Sequence, residues 1–131
     1  MTASVDHVLN RARSYPLDRD DEDEPAPCPD AAHWAARVLL ADLMDRRGIR
    51  QEVDQWDTDT QIELVADLAT LIRQGWGNQD VQTIVEAVVA DLSGRGGVDQ
   101  TFDTIDEDVL EEMKESLAEL LVAAYAVEPP R

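Results

Sequence analysis

The sequence predicts an all-α fold, a single-domain helical bundle, and three observations indicate it. Apolar residues recur at helical spacing through most of the chain after residue 30, capping side chains precede these stretches, and no alternating strand pattern is bounded by turn residues. A chain of 131 residues with 44% hydrophobic content can build one core but not two independent ones. We therefore expect residues 30–131 to form four principal helices plus a short connecting helical segment.

Residues 1–29 are predicted to be a short helix followed by an acidic, proline-rich linker. The short helix is indicated by one narrow apolar stripe, formed by Val5, Val8, Leu9 and Ala12. The linker is indicated by proline residues and by a dense run of acids within residues 18–24. Like charges at this density, with few apolar residues among them, favour an extended chain.

The first two predicted segments of the domain are defined by their end signals. Asp30 is expected to cap a helix that continues to Arg47, where Gly48 ends it. A shorter helical segment is expected over residues 49–56, with Ile49, Val53 and Trp56 facing inward. Trp34 and Trp56 occupy helical positions in these two segments, and we expect them in the core or at helix junctions.

Two further helices are predicted over residues 57–92, joined by a glycine-flanked turn. Asp57 is expected to cap the first, and its widened apolar stripe predicts a central helix with neighbours on more than one side. Asn78 is expected to cap the second. Its valine-rich face either packs into the core or forms a homodimer interface, for which the candidate residues are Val81, Ile84, Val85 and Val88.

The last predicted helix begins at Asp103 or Thr104, and Thr104 with Glu107 has the spacing of a capping box. Its expected buried stripe consists of Val109, Met113, Leu117, Leu120, Leu121 and Ala124. The opposite side is dense in carboxylates, with Lys114 as the one cation among them. Like charges four residues apart each cost about 0.2–0.5 kcal/mol, so helix stability does not explain this pattern.

The net negative charge of the chain restricts the kinds of molecule that it can be expected to bind. The chain has 29 acidic residues against 11 basic ones, for a formal net charge of −18. Such a chain repels nucleic acid and anionic membranes and attracts basic proteins. The alternative interpretation is that the acidity serves solubility, as in salt-loving organisms whose whole proteome is acidic.

These patterns lead to the hypothesis of a non-enzymatic interaction protein that binds and inhibits or regulates a basic protein, for example one that itself binds nucleic acid. Phage anti-restriction and anti-CRISPR inhibitors act in this way by mimicking nucleic acid, and acidic immunity proteins bind basic toxins by the same electrostatics. Both are functional analogies only, because no motif places this chain in such a family. Trp76, between two glycines, is a candidate aromatic anchor. The remaining candidate contacts are the carboxylates of Asp108, Glu111, Glu112, Glu115 and Glu119.

The alternative function is a metal-dependent nucleotide pyrophosphohydrolase of the all-α type. Glu112 and Glu115 have the spacing of a magnesium-binding pair, and Glu63 with Asp67 could complete the site from another helix. No nucleophile, base and orienting acid are grouped in the sequence, and no phosphate-binding glycine loop or cofactor motif is present. We therefore expect no catalytic activity and no cofactor.

A cytoplasmic location is expected. The first residues have no positively charged segment followed by an apolar one, as a secretory signal would. The single Cys28 cannot form an internal disulfide and suits a reducing compartment.

Overall fold

The computed structural model describes residues 8, 9, 12, 30–43, 49, 51, 53, 55–95 and 102–126, and it confirms the all-α fold. Its four long helices are α1 (Ala31–Leu43), α2 (Thr58–Gly75), α3 (Val81–Ser93) and α4 (Glu107–Tyr125). No strand occurs within these residues, and none of their helices is both long and apolar enough to cross a membrane. The predicted acidic linker and Cys28 lie outside the described residues.

The four helices form a bundle in which each packs mainly against two neighbours. Helices α1 and α3 both contact α2 and α4, so that α1 lies diagonally opposite α3, and α2 lies diagonally opposite α4. At one end of the bundle, Asp30 before α1 pairs with Arg73 near the end of α2. At the same end Trp76, just after α2, stacks on Tyr125, the last residue of α4. We call this the Trp76 end.

Helix α1, not α2, is the most buried helix. Ten of its residues are buried: Ala32, Trp34, Ala35, Ala36, Arg37, Val38, Leu39, Leu40, Ala41 and Leu43. Helix α2 has neighbours on two sides, as predicted. It nevertheless keeps an exposed side that includes Glu63, Ala66 and Thr70, so it is not the central helix. The widened stripe of α2 reflects contacts with its two neighbours, which leave its outer side in solvent.

Short segments outside the four helices also contribute to the core. Val8, Leu9 and Ala12 of the predicted first helix are helical and buried, whereas Val5 lies outside the described residues. Ile49 and Val53 of the connecting segment are fully buried in the same apolar cluster. The predicted inward faces of both segments are therefore confirmed at the residues that the structure describes.

Side-chain caps confirm two predicted helix starts and correct a third. The Asp57 carboxylate accepts from the Thr60 backbone N–H at 2.8 Å, and Asp30 accepts from the His33 N–H at 2.9 Å. Helix α3, however, is capped by Asp80, which accepts from the Thr83 N–H at 2.7 Å. The prediction of Asn78 as the cap is wrong, because the turn continues through its position to residue 80.

The turn between α2 and α3 is short and is held by hydrogen bonds within it. Gly77 has φ = 86°, a conformation that costs residues with a Cβ about 1–2 kcal/mol. Asn78 donates its side-chain amide to the Gln74 carbonyl at 3.1 Å, and the Gln79 backbone N–H donates to the Gly75 carbonyl at 2.8 Å. These bonds occupy the segment that would otherwise be the first turn of α3.

Helix α4 begins later than predicted. Residues 102–104 form a separate helical turn, and α4 starts at Glu107 with Asp106 as its N-cap, so the predicted capping box is wrong. Val109 is 44% exposed because it lies in the first turn, where a helix at the end of a bundle has neighbours on fewer sides. The rest of the predicted stripe, from Met113 to Ala124, is buried.

The valine-rich face of α3 is used within the chain. Ile84, Val85 and Val88 are each at most 1% exposed, and Val81 is half-buried against the same core. This face packs against α2 and α4 of the same chain. Packing within the chain is therefore sufficient to account for the valine pattern.

Candidate partner-binding face

The five predicted contact carboxylates of α4 lie together on its outer surface. Asp108, Glu111, Glu112, Glu115 and Glu119 are all exposed. At about 100° of rotation per residue they cover a strip about 100° wide, which lies roughly opposite the buried stripe of the same helix. The strip is about 16 Å long at a rise of about 1.5 Å per residue. We call these five residues the acidic stripe.

Ion pairs among the described residues do not neutralise these charges. Within the described part of the chain, no hydrogen bond or ion pair involves the side chains of the four glutamates of the stripe. The arginine ion pairs that the structure shows are made elsewhere: Arg73 binds Asp30 at 2.8 Å, and Arg95 binds Asp67 at 3.0 Å and Asp91 at 2.9 Å. The carboxyl groups of the stripe therefore face solvent, and the described residues make no ion pair with its four glutamates.

Removing two of these charges should stabilise the protein. Glu111 and Glu115 take part in three like-charge pairs at four-residue spacing, with Glu107, with each other and with Glu119. The same change also removes the opposite-charge pair of Glu111 with Lys114, three residues on. Glu111→Gln combined with Glu115→Gln should therefore raise the free energy of unfolding by roughly 0.1–1.3 kcal/mol at low salt, measured by urea denaturation. The gain should shrink at high salt, because screening already weakens the repulsion in the wild type. A loss of stability in the double variant would show that the fold uses these charges.

One exposed apolar side chain continues the line of the stripe. Val122 is 51% exposed and follows Glu119 by three residues, on the same side of α4 and toward the Trp76 end. Among the described large hydrophobic residues, the other exposed one is Val109, at the opposite end of the helix. The outer face of α4 is thus carboxylate-rich along most of its length and apolar near its end.

Trp76, the predicted aromatic anchor, is partly covered. Its side chain is half-buried, and its ring stacks on Tyr125 with centroids 3.8 Å apart and an interplanar angle of 5°. One face of the indole is therefore occupied within the chain. Sequence reasoning missed Tyr125, because nothing in a local pattern pairs two aromatic residues so far apart along the chain.

An ion pair lies next to this stack. The Asp30 carboxylate caps α1 through one oxygen and through the other accepts from Arg73 Nε at 2.8 Å. The hydrogen bond from Arg73 lowers the pKa of Asp30, and Asp30 in turn raises that of Arg73. Burial, followed by the negative charge of Asp30, raises the pKa of the Tyr125 phenol. Asp30, Arg73, Trp76 and Tyr125 thus join parts of α1, α2 and α4 at one end of the bundle.

The alternative metal site is not assembled. Glu63 and Asp67 lie on α2, whereas Glu112 and Glu115 lie on the diagonally opposite α4. Asp67 is also bonded to Arg95. Across the described ranges, no group of three or more His, Cys, Asp or Glu side chains is placed to hold a metal ion. The structure therefore does not bring together the four residues proposed for magnesium.

Trp34 and Trp56 lie in the core or at its edge, as the sequence predicts. Trp34 is fully buried in α1, and Trp56 is half-buried against the core just before α2. Both are structural residues of the bundle.

No protein family, curated protein or solved structure matches this chain. The outer face of α4, with its exposed carboxylates, is therefore the feature of the molecule that bears on function.

Proposed function

We propose that this protein is a non-enzymatic interaction protein that binds a basic surface of a partner protein through the acidic stripe, and thereby inhibits or regulates that partner. One observation carries the proposal: five exposed carboxylates form a continuous stripe on α4, opposite its buried face. The described part of the fold makes no ion pair with the four glutamates of this stripe. Charges arranged in this way attract and orient a basic partner.

The spacing of the stripe favours a partner that itself binds nucleic acid. The stripe carries about one charge per 4 Å of helix axis, against about one phosphate per 3.4 Å along one strand of DNA. A groove that binds phosphates with Arg and Lys side chains could bind these carboxylates in the same way. Val122, at the end of the stripe, adds an apolar contact that a nucleic-acid backbone lacks.

Segregation of the charge favours binding over solubility. A face that serves solubility works equally well when acids and bases are interspersed, and it then avoids the like-charge cost. On α4 the acids are instead concentrated along one line, with Lys114 half-buried beside it.

The test compares two variants of equal net charge. The stripe variant carries Glu→Lys at residues 111, 112, 115 and 119. The matched control carries Asp59→Lys, Glu63→Lys, Glu86→Lys and Asp103→Lys, all at exposed positions outside the stripe. Each immobilised protein and the wild type are incubated with a host-cell lysate at low salt, and the retained proteins are identified, purified and titrated.

We expect a purified partner that binds the wild type and the control alike and binds the stripe variant roughly 30-fold more weakly or worse, since four contacts at about 0.5–1 kcal/mol are lost. Its affinity should fall with added salt, and duplex DNA should compete for the same surface. Equal affinity of the partner for the stripe variant and the wild type would contradict the proposal. Equal losses in both variants would show that only net charge matters.

A further inference from the structure

The Trp76–Tyr125 stack lies at the end of the helix that carries the acidic stripe. Tyr125 is the last residue of α4, and Glu119, at the end of the stripe, precedes it by less than two turns. The stack therefore adds to the burial of Leu120, Leu121 and Ala124 in holding the end of the stripe.

The C-terminal end of α4 has few stabilising features of its own. Its C-cap is Ala126 at φ = −82°, without the left-handed glycine that ends many helices, and its last turn contains no basic residue. The Ala126 backbone N–H donates to the Val122 and Ala123 carbonyls at 3.2 and 3.1 Å. A helix end of this kind frays readily unless tertiary contacts hold it.

The other half of the stack is rigidly held. The Trp76 backbone N–H donates to the Ile72 carbonyl at 2.8 Å, and Gly77 follows with φ = 86°. Gly75 lies so close to α3 that a Cβ there would be 2.7 Å from Ile84 Cγ1. Trp76 is thus fixed between two packed helices, and the Tyr125 ring stacks on an indole that cannot easily move.

From this geometry we infer that Trp76 and Tyr125 are a positioning pair for the acidic stripe. Their stack fixes the last two turns of α4 and so holds Glu119 in line with Glu111 and Glu115. This role rests on the proposed function, and it differs from that of an aromatic anchor, which would itself contact the partner. Trp76 then affects partner affinity through α4.

The first test uses amide hydrogen exchange in the free protein. Tyr125→Ala should speed exchange of the amides of residues 122–126 about two- to tenfold, as expected for loss of an aromatic pair. Tyr125→Phe keeps the stacked ring and should exchange like the wild type. Val109→Ala, at the other end of α4, should leave these amides unchanged. Unchanged exchange in Tyr125→Ala would overturn the inference.

The second test is a double-mutant cycle with a defined basic surface, a synthetic arginine-rich α-helical peptide. Tyr125→Ala should weaken peptide binding about as much as Glu119→Gln does, roughly two- to fivefold. Tyr125→Ala and Glu119→Gln together should weaken binding no more than either change alone. The fold-losses of affinity from Tyr125→Ala and Glu111→Gln should instead multiply, because these two residues lie about 21 Å apart along the helix and act independently. Multiplying effects with Glu119 as well as with Glu111 would overturn the inference.

The two tests separate failure of the inference from failure of the proposed function. If the peptide binds the stripe variant as tightly as the wild type, the proposed function is wrong, and the positioning role for partner binding fails with it. If the stripe variant loses binding while Tyr125→Ala changes neither exchange nor affinity, the proposed function stands and only the inference fails.

Discussion

Val88→Asp is expected to prevent folding of the chain at any protein concentration. Val88 is 0% exposed on the face of α3 that packs within the bundle. An unpaired carboxylate at such a site costs several kcal/mol, a large part of the 5–15 kcal/mol that stabilises a typical domain. Circular dichroism over a wide range of protein concentrations should show loss of helix throughout.

Val109→Asp is the matched control. Val109 is 44% exposed in the first turn of α4, where a negative charge is favoured by the helix dipole. This variant should keep its helix content and unfold within a few degrees of the wild type. If Val88→Asp instead gave a folded, stable monomer, the valine-rich face would be covered by a second copy of the chain and not by its own core.

Trp34→Ala should lower the free energy of unfolding by about 3–5 kcal/mol. Trp34 is 0% exposed, and it lies in the first turn of the most buried helix, where its backbone N–H donates to the Asp30 carbonyl at 3.2 Å. Removing the indole leaves a cavity in the core. Urea denaturation followed by circular dichroism measures the loss.

Two other variants bracket this effect. Trp34→Phe keeps most of the buried volume and should cost less than Trp34→Ala. Trp56→Ala removes a half-buried ring at the edge of the core, and it should also cost less. Equal losses for Trp34→Ala and Trp56→Ala would contradict the central position of α1.

Local signals predicted the helices well because they act over a few residues. Asp30 and Asp57 were predicted as caps from their position before apolar stripes, and both accept the expected backbone N–H. The inward faces of the chain at Val85, Val88 and Leu121 follow the helical period and are buried. Capping and periodicity depend on neighbours at most one or two turns away.

The same local rules failed where two candidates lay close together. Asn78 and Asp80 can both cap α3, and the tight turn through Gly77 selects Asp80. Thr104 with Glu107 matched a capping box, yet the chain forms a separate turn there and α4 begins after Asp106. Backbone geometry, which residue types only partly determine, decided both helix starts.

Local sequence patterns did not predict how the helices are arranged in the bundle. The widened stripe of α2 suggested a central helix, but α1 is the most buried helix, and one side of α2 faces solvent. A stripe shows how much of a helix surface is apolar and not which elements cover it. That depends on the packing of the whole bundle.

The sequence by itself determined the acidic stripe, because the helical period places Asp108 through Glu119 on one side of α4 whatever lies behind it. It also determined the net charge, and with it the positive charge expected of the proposed partner. Only the tertiary structure placed Tyr125 against Trp76, paired Asp30 with Arg73 and separated Glu63 and Asp67 from Glu112 and Glu115. These relations join residues far apart in the chain, and they follow from how four helices bury a shared core.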